Sequence, residues 1–357
     1  MTGTQRLRRS NRKLRVGLCV VAAFYLIAVF ADFIAPNDYR AQSRREPMSP
    51  PVSIRLQDRE GRWHARPFLY RRKLSDPLRR IYEEDSSRAY TLALFQRGYR
   101  YKLFGLLPTD IHLFGVKADG GADAPRVYLL GTDALGRDRF SRLLVASRFT
   151  LLVGPLGTIL ACLVGIVVGV VAGYARRGTG ALLMRVADVM MSLPTLIIIL
   201  AARAAFPLEL PPGRAALLLV GIFVVVGWAE TARLARGLVL TLKQREYVLA
   251  AESLGLTKTR ILFRHILPNA ARPLVVQATL VLPAFLLAET SLSFLGVGVQ
   301  EPEPSWGNML AAASDINLLA EQPMLLLAPA VAIFVFVFGV RLVGDGLKEQ
   351  GRKNISS

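Results

Sequence analysis

Nucleotide-binding and hydrolytic motifs are missing from this chain of 357 residues. A Walker A loop, GxxxxGK(S/T), needs glycines to cradle phosphates and a lysine to reach them. The sequence contains no Gly-Lys dipeptide, no GxSxG nucleophile elbow and no HExxH pair. We therefore predict that the chain is not an enzyme, and that any ATP used by its system is bound by other subunits.

Cysteine and histidine are also scarce. The two cysteines, Cys19 and Cys162, lie inside apolar runs, where they serve as small packing residues rather than as a disulfide pair. The three histidines, His64, His112 and His265, lie far apart in the sequence, which argues against a zinc site. We predict no metal site and no cofactor in this chain.

Apolar residues make up 52% of the chain, and its formal net charge is +19. The charged residues avoid several windows of about twenty residues and crowd between them. Basic loops beside apolar segments are typical of membrane topology, and no motif that reads a nucleic-acid groove is present. We predict a membrane protein in contact with lipid, and no nucleic-acid partner.

Six segments are long and apolar enough to cross a membrane, which requires about twenty residues each. They predict an all-α membrane protein with transmembrane helices at residues 14–35, 149–174, 182–206, 215–235, 274–299 and 324–347. The third is interrupted by Pro194. Glycines in the second are spaced for close helix packing. The first has a basic head like a signal peptide but a long apolar run, and we interpret it as a retained span.

Arginine and lysine indicate the orientation. The tail at residues 1–13, the loops after the second and fourth spans, and the tail at residues 348–357 are all basic. Six alternating spans place these segments on one side, the cytoplasm. Residues 36–148 then form an extracytoplasmic insertion, either a small folded subdomain or a partly ordered loop. In it, residues 49–70 carry turn and strand signals, whereas residues 76–98 favour a helix.

A polar segment, residues 244–268, separates the fourth and fifth spans. The part "EYVLAAESLG" predicts a short helix, after which Gly255 supplies either a C-cap or a close backbone approach. Thr257 caps a second helix that Pro268 ends. One interpretation is an interfacial helix that lies on lipid headgroups. The other is a docking site for a cytoplasmic partner.

The order of residues in this segment closely resembles the EAA loop in the membrane subunits of ATP-binding-cassette importers. The matching residues are Ala250, Ala251, Gly255, Leu267 and Pro268. Leu249 stands where the family usually has an acid, with Glu246 a turn earlier. The resemblance implies that these residues form coupling helices that dock in a cleft of an ATPase subunit.

Two further stretches narrow the resemblance to permeases for dipeptides, oligopeptides and nickel. Residues 128–154, "YLLGTDALGRDRFSRLLVASRFTLLVG", resemble their entry to the second span, and residues 288–310 resemble the end of their fifth span. The family implies a type I importer fold with a permease core at residues 149–347. It also implies a second related permease, two ATPases that bind ATP–Mg, and an extracytoplasmic substrate-binding protein, at the bacterial inner membrane.

The expected function is translocation of dipeptides or oligopeptides by alternating access. Nickel complexes or a peptide antibiotic remain alternative solutes, and a secondary transporter or channel is the alternative class. Candidates for the translocation pathway are Glu289, Pro283 and Ser291, although Glu289 is equally compatible with an ion pair that fixes helix packing. Trp306 is expected at headgroup depth on the outer face.

Overall fold

A computed structural model describes residues 3–77, 79–117, 124–311, 314 and 316–351. The chain forms two compact units. The first comprises Met1–Ala23, Thr150–Gln300 and Val331–Ser357. The second comprises Phe24–Phe149 and Glu301–Ala330.

Helices make up most of the chain. They are α1 (Gly3–Val29), α2 (Ala31–Ile34), α3 (Arg139–Tyr174), α4 (Arg177–Ser192), α5 (Thr195–Ala204), α6 (Pro212–Lys243), α7 (Glu246–Ser253), α8 (Lys258–Ile261), α9 (Leu267–Phe294), α10 (Trp306–Ala311), α11 (Ile316–Glu321) and α12 (Met324–Gly351). A π-helical segment, Leu262–Ile266, joins α8 to α9. The strands are β1 (Arg55–Gln57), β2 (Trp63–Asp76), β3 (Ile81–Leu103) and β4 (Leu107–Val116).

Four helices among the described residues are long and apolar enough to cross a membrane: Arg139–Tyr174, Pro212–Lys243, Lys258–Phe294 and Met324–Gln350. They correspond to four of the six predicted spans. The predicted break at Pro194 is confirmed, because α4 and α5 meet there at an angle of 86° and count together as a fifth candidate. Helix α1 is not among them, since its charge-free stretch between Arg15 and Val29 is shorter than about twenty residues.

Glycines set the helix packing of the first unit, as their spacing predicts. A Cβ on Gly165 would lie 2.5 Å from the Trp228 carbonyl oxygen, and one on Gly169 would lie 2.3 Å from that of Ala232. Helices α3 and α6 therefore approach each other at backbone distance along one face of each. A side chain larger than hydrogen at either glycine would force the two helices apart.

A four-stranded antiparallel sheet in the second unit corrects the prediction of an all-α protein. The strand order is β1-β2-β3-β4. The strand signals in residues 49–70 are confirmed by β1 and β2, but the helix predicted for residues 76–98 is wrong, because β3 covers most of that range. The first half of β3, from Ile81 to Thr91, pairs with β2, and its second half, from Leu92 to Leu103, pairs with β4. Tyr90 lies opposite Leu69 and Leu94 opposite Phe114. This cross-strand pairing overrides weak local preference.

The segment that enters α3 is capped by a buried carboxylate. Asp138 accepts hydrogen bonds from the Phe140 and Ser141 backbone amides and from the Asn37 side chain. Trp306 packs in the same unit, where it is 1% exposed and its Nε1 donates to the Leu143 carbonyl at 3.2 Å. The Trp306 indole is therefore buried inside the protein, and its depth relative to the lipid headgroups stays a prediction.

The effect of Asp138 on stability should depend on pH, and the direction of that dependence shows whether burial or hydrogen bonding dominates its pKa. Burial raises the pKa of Asp138 to about 6, while its hydrogen-bond donors lower it. A carboxyl whose pKa is raised on folding contributes stability below its unfolded pKa of about 3.9, and this contribution is lost as pH rises through about 6. We expect the destabilisation caused by Asp138→Asn to be largest near pH 4 and smaller at pH 7.5, by roughly 3 kcal/mol at most. Thermal unfolding of both proteins across this range measures it, and a cost that grows with pH would show that the donors outweigh burial.

Candidate functional site

Helix α7 ends in a left-handed glycine, as its sequence predicts. Gly255 has φ of +77°. The Gly255 amide donates to the Glu252 carbonyl at 2.9 Å, and the Leu256 amide donates to the Ala251 carbonyl at 3.2 Å. This is a Schellman C-cap, which favours glycine at that position because other residues are strained there. The predicted cap on the following helix is also present, since the Thr257 side chain accepts from the Arg260 amide.

A small apolar core fixes the pair α7 and α8 to the ends of longer helices. Its buried members are Val239, Val248, Ala251, Ile261 and Ile266, and Val170, Tyr174, Leu242, Leu256 and Leu262 pack against them. The Lys243 ammonium lies 4.2 Å from the centre of the Tyr174 ring and donates to the Gly173 carbonyl at 3.3 Å. The segment is therefore seated on α3 and α6, which contribute Tyr174 and Val239 to this core.

The opposite face of this segment exposes large apolar side chains. Leu254 is 80% exposed, Phe263 66% and Leu249 49%, with Tyr247 also exposed. Exposed arginines and lysines lie among them at Lys258, Arg260 and Arg264. We call Tyr247, Leu249, Leu254 and Phe263 the exposed apolar face. Sequence reasoning missed Phe263, although a large apolar residue in a polar segment was a usable signal.

The six residues predicted for this site are brought into one continuous segment, with different exposures. Glu246, Ala250, Gly255 and Pro268 are exposed, Leu267 is half-buried and Ala251 is buried. A Cβ at Gly255 would have no neighbour within 4 Å, so the space outside it is open. The exposed members of this set are open to contact with another molecule, whereas Ala251 packs in the small apolar core that holds the segment in place.

Pro268 does not end the second helix, contrary to the sequence prediction. It is the second residue of α9, directly after a π-helical segment, so its missing backbone N–H falls where the helical hydrogen-bond pattern changes. The π-helical segment Leu262–Ile266 precedes it, and the helical backbone continues from Lys258 to Phe294. The second helix of the surface segment and the candidate span that follows it are thus one continuous helical element.

The pathway candidates lie together near the end of α9, but with different surroundings. Glu289 is fully buried and its Oε1 accepts from the Ser293 hydroxyl at 2.8 Å. Pro283 and Ser291 are half-buried. Glu289 therefore takes part in a contact within its own helix. No metal-holding group of three His, Cys, Asp or Glu side chains is present in the described part of the chain.

A family model decides the class of the protein. The model described as "binding-protein-dependent transport system inner membrane component" matches residues 165–349, which is just over half of the chain. The chain belongs to this family. A second family model, described as the N-terminal transmembrane domain of oligopeptide transport permease C, matches residues 5–51 of this binding-protein-dependent transport component.

Curated relatives of this inner-membrane component are identical to it at just over a third of the aligned positions. The oligopeptide transport system permease protein OppC of Bacillus subtilis strain 168 is 37% identical over 230 residues, 64% of this chain and 73% of that protein. The di/tripeptide transport system permease protein DppC of Pseudomonas aeruginosa strain UCBPP-PA14 is 38% identical over 222 residues, 62% of this chain and 71% of that protein.

A solved structure is similar in part. The inward-facing MetNI methionine ABC transporter aligns with a TM-score of 0.43 and 18% identity, over 55% of this chain and 88% of that one.

Proposed function

We propose that this chain is one of two related membrane subunits of an ATP-driven importer that translocates dipeptides or oligopeptides. The names of its curated relatives support a peptide solute. In this proposal the chain has the type I importer fold with six spans and both termini in the cytoplasm. Residues 36–148 then face outward, where a substrate-binding protein delivers the peptide.

The observation that carries the proposal is the exposed apolar face of residues 246–268. Four large apolar side chains in a polar segment between spans are typical of a protein interface, because single exposed apolar residues are common but clusters are not. The chain itself has no Walker A motif. We therefore assign this face to docking with one of two separate ATPase subunits that bind ATP–Mg.

The mechanism follows from that docking. Closure of the ATPases on ATP moves the coupling helices at residues 244–268, and the spans rearrange from inward-open to outward-open. Peptide enters from the binding protein, and hydrolysis resets the inward-open state. Because Val248 and Ile261 fix this segment to the helices that contribute Val239 and Tyr174, movement of the docking face is transmitted to α3 and α6.

Replacement of the apolar face by charge tests the docking. We expect Leu254→Asp combined with Phe263→Asp to release the ATPase subunits, since two buried interface side chains lose their apolar contacts and two carboxylates lose solvation. Co-purification of the ATPases with tagged permease measures this, and we expect a loss of about tenfold or more. Leu106→Asp is the matched control, because Leu106 is 81% exposed in the β3–β4 turn and Leu254 is 80% exposed. Retention of the ATPases by the double variant would refute the docking assignment.

A further inference from the structure

Three arginines near the start of α3 are almost wholly buried: Arg137 (8% exposed), Arg139 (4%) and Arg142 (3%). Two of them share two carboxylates. Arg137 Nε donates to Asp133 Oδ2 at 2.7 Å and its Nη1 to Glu301 Oε2 at 2.5 Å, and Arg142 Nη2 donates to Glu301 Oε1 at 2.9 Å. The cluster therefore holds three positive charges and two negative ones.

Of these three arginines, Arg139 is the one without an ion-pair partner among the described residues. Its Nη2 donates to Gln322 Oε1 at 2.6 Å and contacts Met48 Sδ at 3.6 Å, and both partners are neutral. Its Nε is buried and has no hydrogen-bond partner among the described residues. A buried guanidinium with an unused donor costs free energy unless an anion completes its surroundings.

A cavity of about 50 Å³ lies against Arg139. Its polar lining comes from Asp133, Arg137, Arg139, Arg142, Glu301 and Asn308, and its apolar lining from Met309, Met324, Leu325 and Ala328. Glu301 is exposed, so the cavity has a wall that reaches solvent. The volume is several times what one water requires, about 10–15 Å³, and it accommodates a carboxylate group but not a whole amino-acid residue.

Two long helices begin at this cavity. Arg139 is the first residue of α3, which has 36 residues, and Met324 is the first residue of α12, which has 28. The N-terminal end of a helix carries a partial positive charge of about half an elementary charge. Both helix ends therefore add to the positive potential that Arg139 creates in the cavity.

We propose that this cavity binds the C-terminal carboxylate of a peptide, an inference that rests on the proposed peptide-import function. The carboxylate occupies the space beside Arg139 and accepts from its Nε, which balances the three arginines with a third negative charge. The residue that bears this carboxylate extends out of the cavity across Met309 and Met324. Methionine side chains adapt to different shapes, which suits a peptide end whose side chain varies.

A planar carboxylate fits this site better than a spherical anion. A guanidinium presents its N–H groups in a fixed fork that matches two carboxylate oxygens, and charged hydrogen bonds of this kind are among the strongest in proteins. The same pairing already occurs beside the cavity, where Arg137 and Arg142 both hold the Glu301 carboxylate.

Uptake of a peptide with and without its C-terminal charge tests the site. The assembled importer in proteoliposomes is given trialanine or trialanine amide, and the ratio of the two uptake rates is the acid preference. We expect Arg139→Gln to lower this preference about tenfold, because one charged hydrogen bond is lost. Arg100→Gln, at an exposed arginine of β3, is the matched control and keeps the wild-type ratio. The change in ratio isolates the permease, since the binding protein is the same in every assay.

A second measurement tests the site even if the Arg139→Gln variant does not fold. Arg139→Lys keeps the positive charge but loses the fork of donors. Acetate should raise the thermal unfolding midpoint of the purified wild-type permease above its value in chloride at equal ionic strength, and this difference should vanish in Arg139→Lys.

The possible results distinguish the sources of a carboxylate. An unchanged acid preference in Arg139→Gln, or an acetate effect that persists in Arg139→Lys, overturns the proposal. Equal loss of acid and amide uptake, with weaker capture of the binding protein by the permease, also overturns it, because the carboxylate then belongs to the binding protein. If the wild-type assembly transports neither peptide while its ATPases are active, the proposed function itself fails.

Discussion

Gly255→Trp is expected to uncouple ATP hydrolysis from peptide uptake. The glycine φ of +77° costs another residue about 1–2 kcal/mol, and a Cβ there meets no atom within 4 Å. The indole therefore projects from the surface beside Leu254, where it holds the docked ATPase away from the permease. In reconstituted vesicles we expect uptake to fall by about tenfold or more, equivalent to roughly 1.4 kcal/mol of lost interface free energy. ATP hydrolysis should continue.

Two further variants make this result specific. Gly255→Ala introduces the backbone strain without the bulk, so uptake should stay close to the wild-type rate. Gly237→Trp is the control for bulk, because it adds the same side chain to an exposed glycine of α6 that also has no neighbour within 4 Å. Should α7 instead rest on lipid headgroups, Gly255→Trp would be well accommodated, since tryptophan favours that interface. Normal uptake by Gly255→Trp would therefore favour the interfacial alternative.

Gly169→Leu is expected to prevent the permease core from folding stably. A Cβ at this position would lie 2.3 Å from the Ala232 carbonyl oxygen and 2.7 Å from the Ala235 Cβ, and backbone cannot rotate away as a side chain can. Helices α3 and α6 must separate, which removes contacts along their whole interface. Overpacking typically costs about 1–3 kcal/mol, and we expect the upper end or more here. The thermal unfolding midpoint in detergent and the yield of monodisperse protein measure the loss.

Gly221→Leu is the control for that experiment. Gly221 lies in the same helix as Ala232, is exposed, and has no atom within 4 Å of an added Cβ. Leucine also forms helix more readily than glycine, by about 1 kcal/mol. We expect Gly221→Leu to unfold at or above the wild-type temperature. Equal unfolding midpoints for Gly169→Leu and Gly221→Leu would contradict close packing of α3 on α6.

The parts of this protein that were predictable from sequence are those with local signals. Long apolar runs predicted four spans, Pro194 predicted the break between α4 and α5, and Gly255 and Thr257 predicted the two caps within residues 244–268. Each of these signals depends on a few neighbouring residues and on the absence of water in a bilayer. For the same reason the glycine spacing of α3 predicted where another helix approaches.

The parts that were not predictable depend on residues far apart in the chain. Strand β3 is stabilised by pairing with β2 along its first half and with β4 along its second half, which its own composition does not reveal. Trp306 is buried with a hydrogen-bond acceptor at Leu143, more than 160 positions earlier in the chain. The cavity beside Arg139 combines residues from 133–142 with residues from 301–328, so no local motif indicates it.

In the proposed mechanism, the helical element from Lys258 to Phe294 serves as a lever. It has 37 residues, and at 1.5 Å per residue it is about 55 Å long. A rigid tilt of about 5° about its surface end would displace its far end by about 5 Å. Phe263 and Glu289 lie on this one rod. A small movement imposed at the exposed apolar face therefore becomes a displacement at the far end comparable to the spacing between packed side chains.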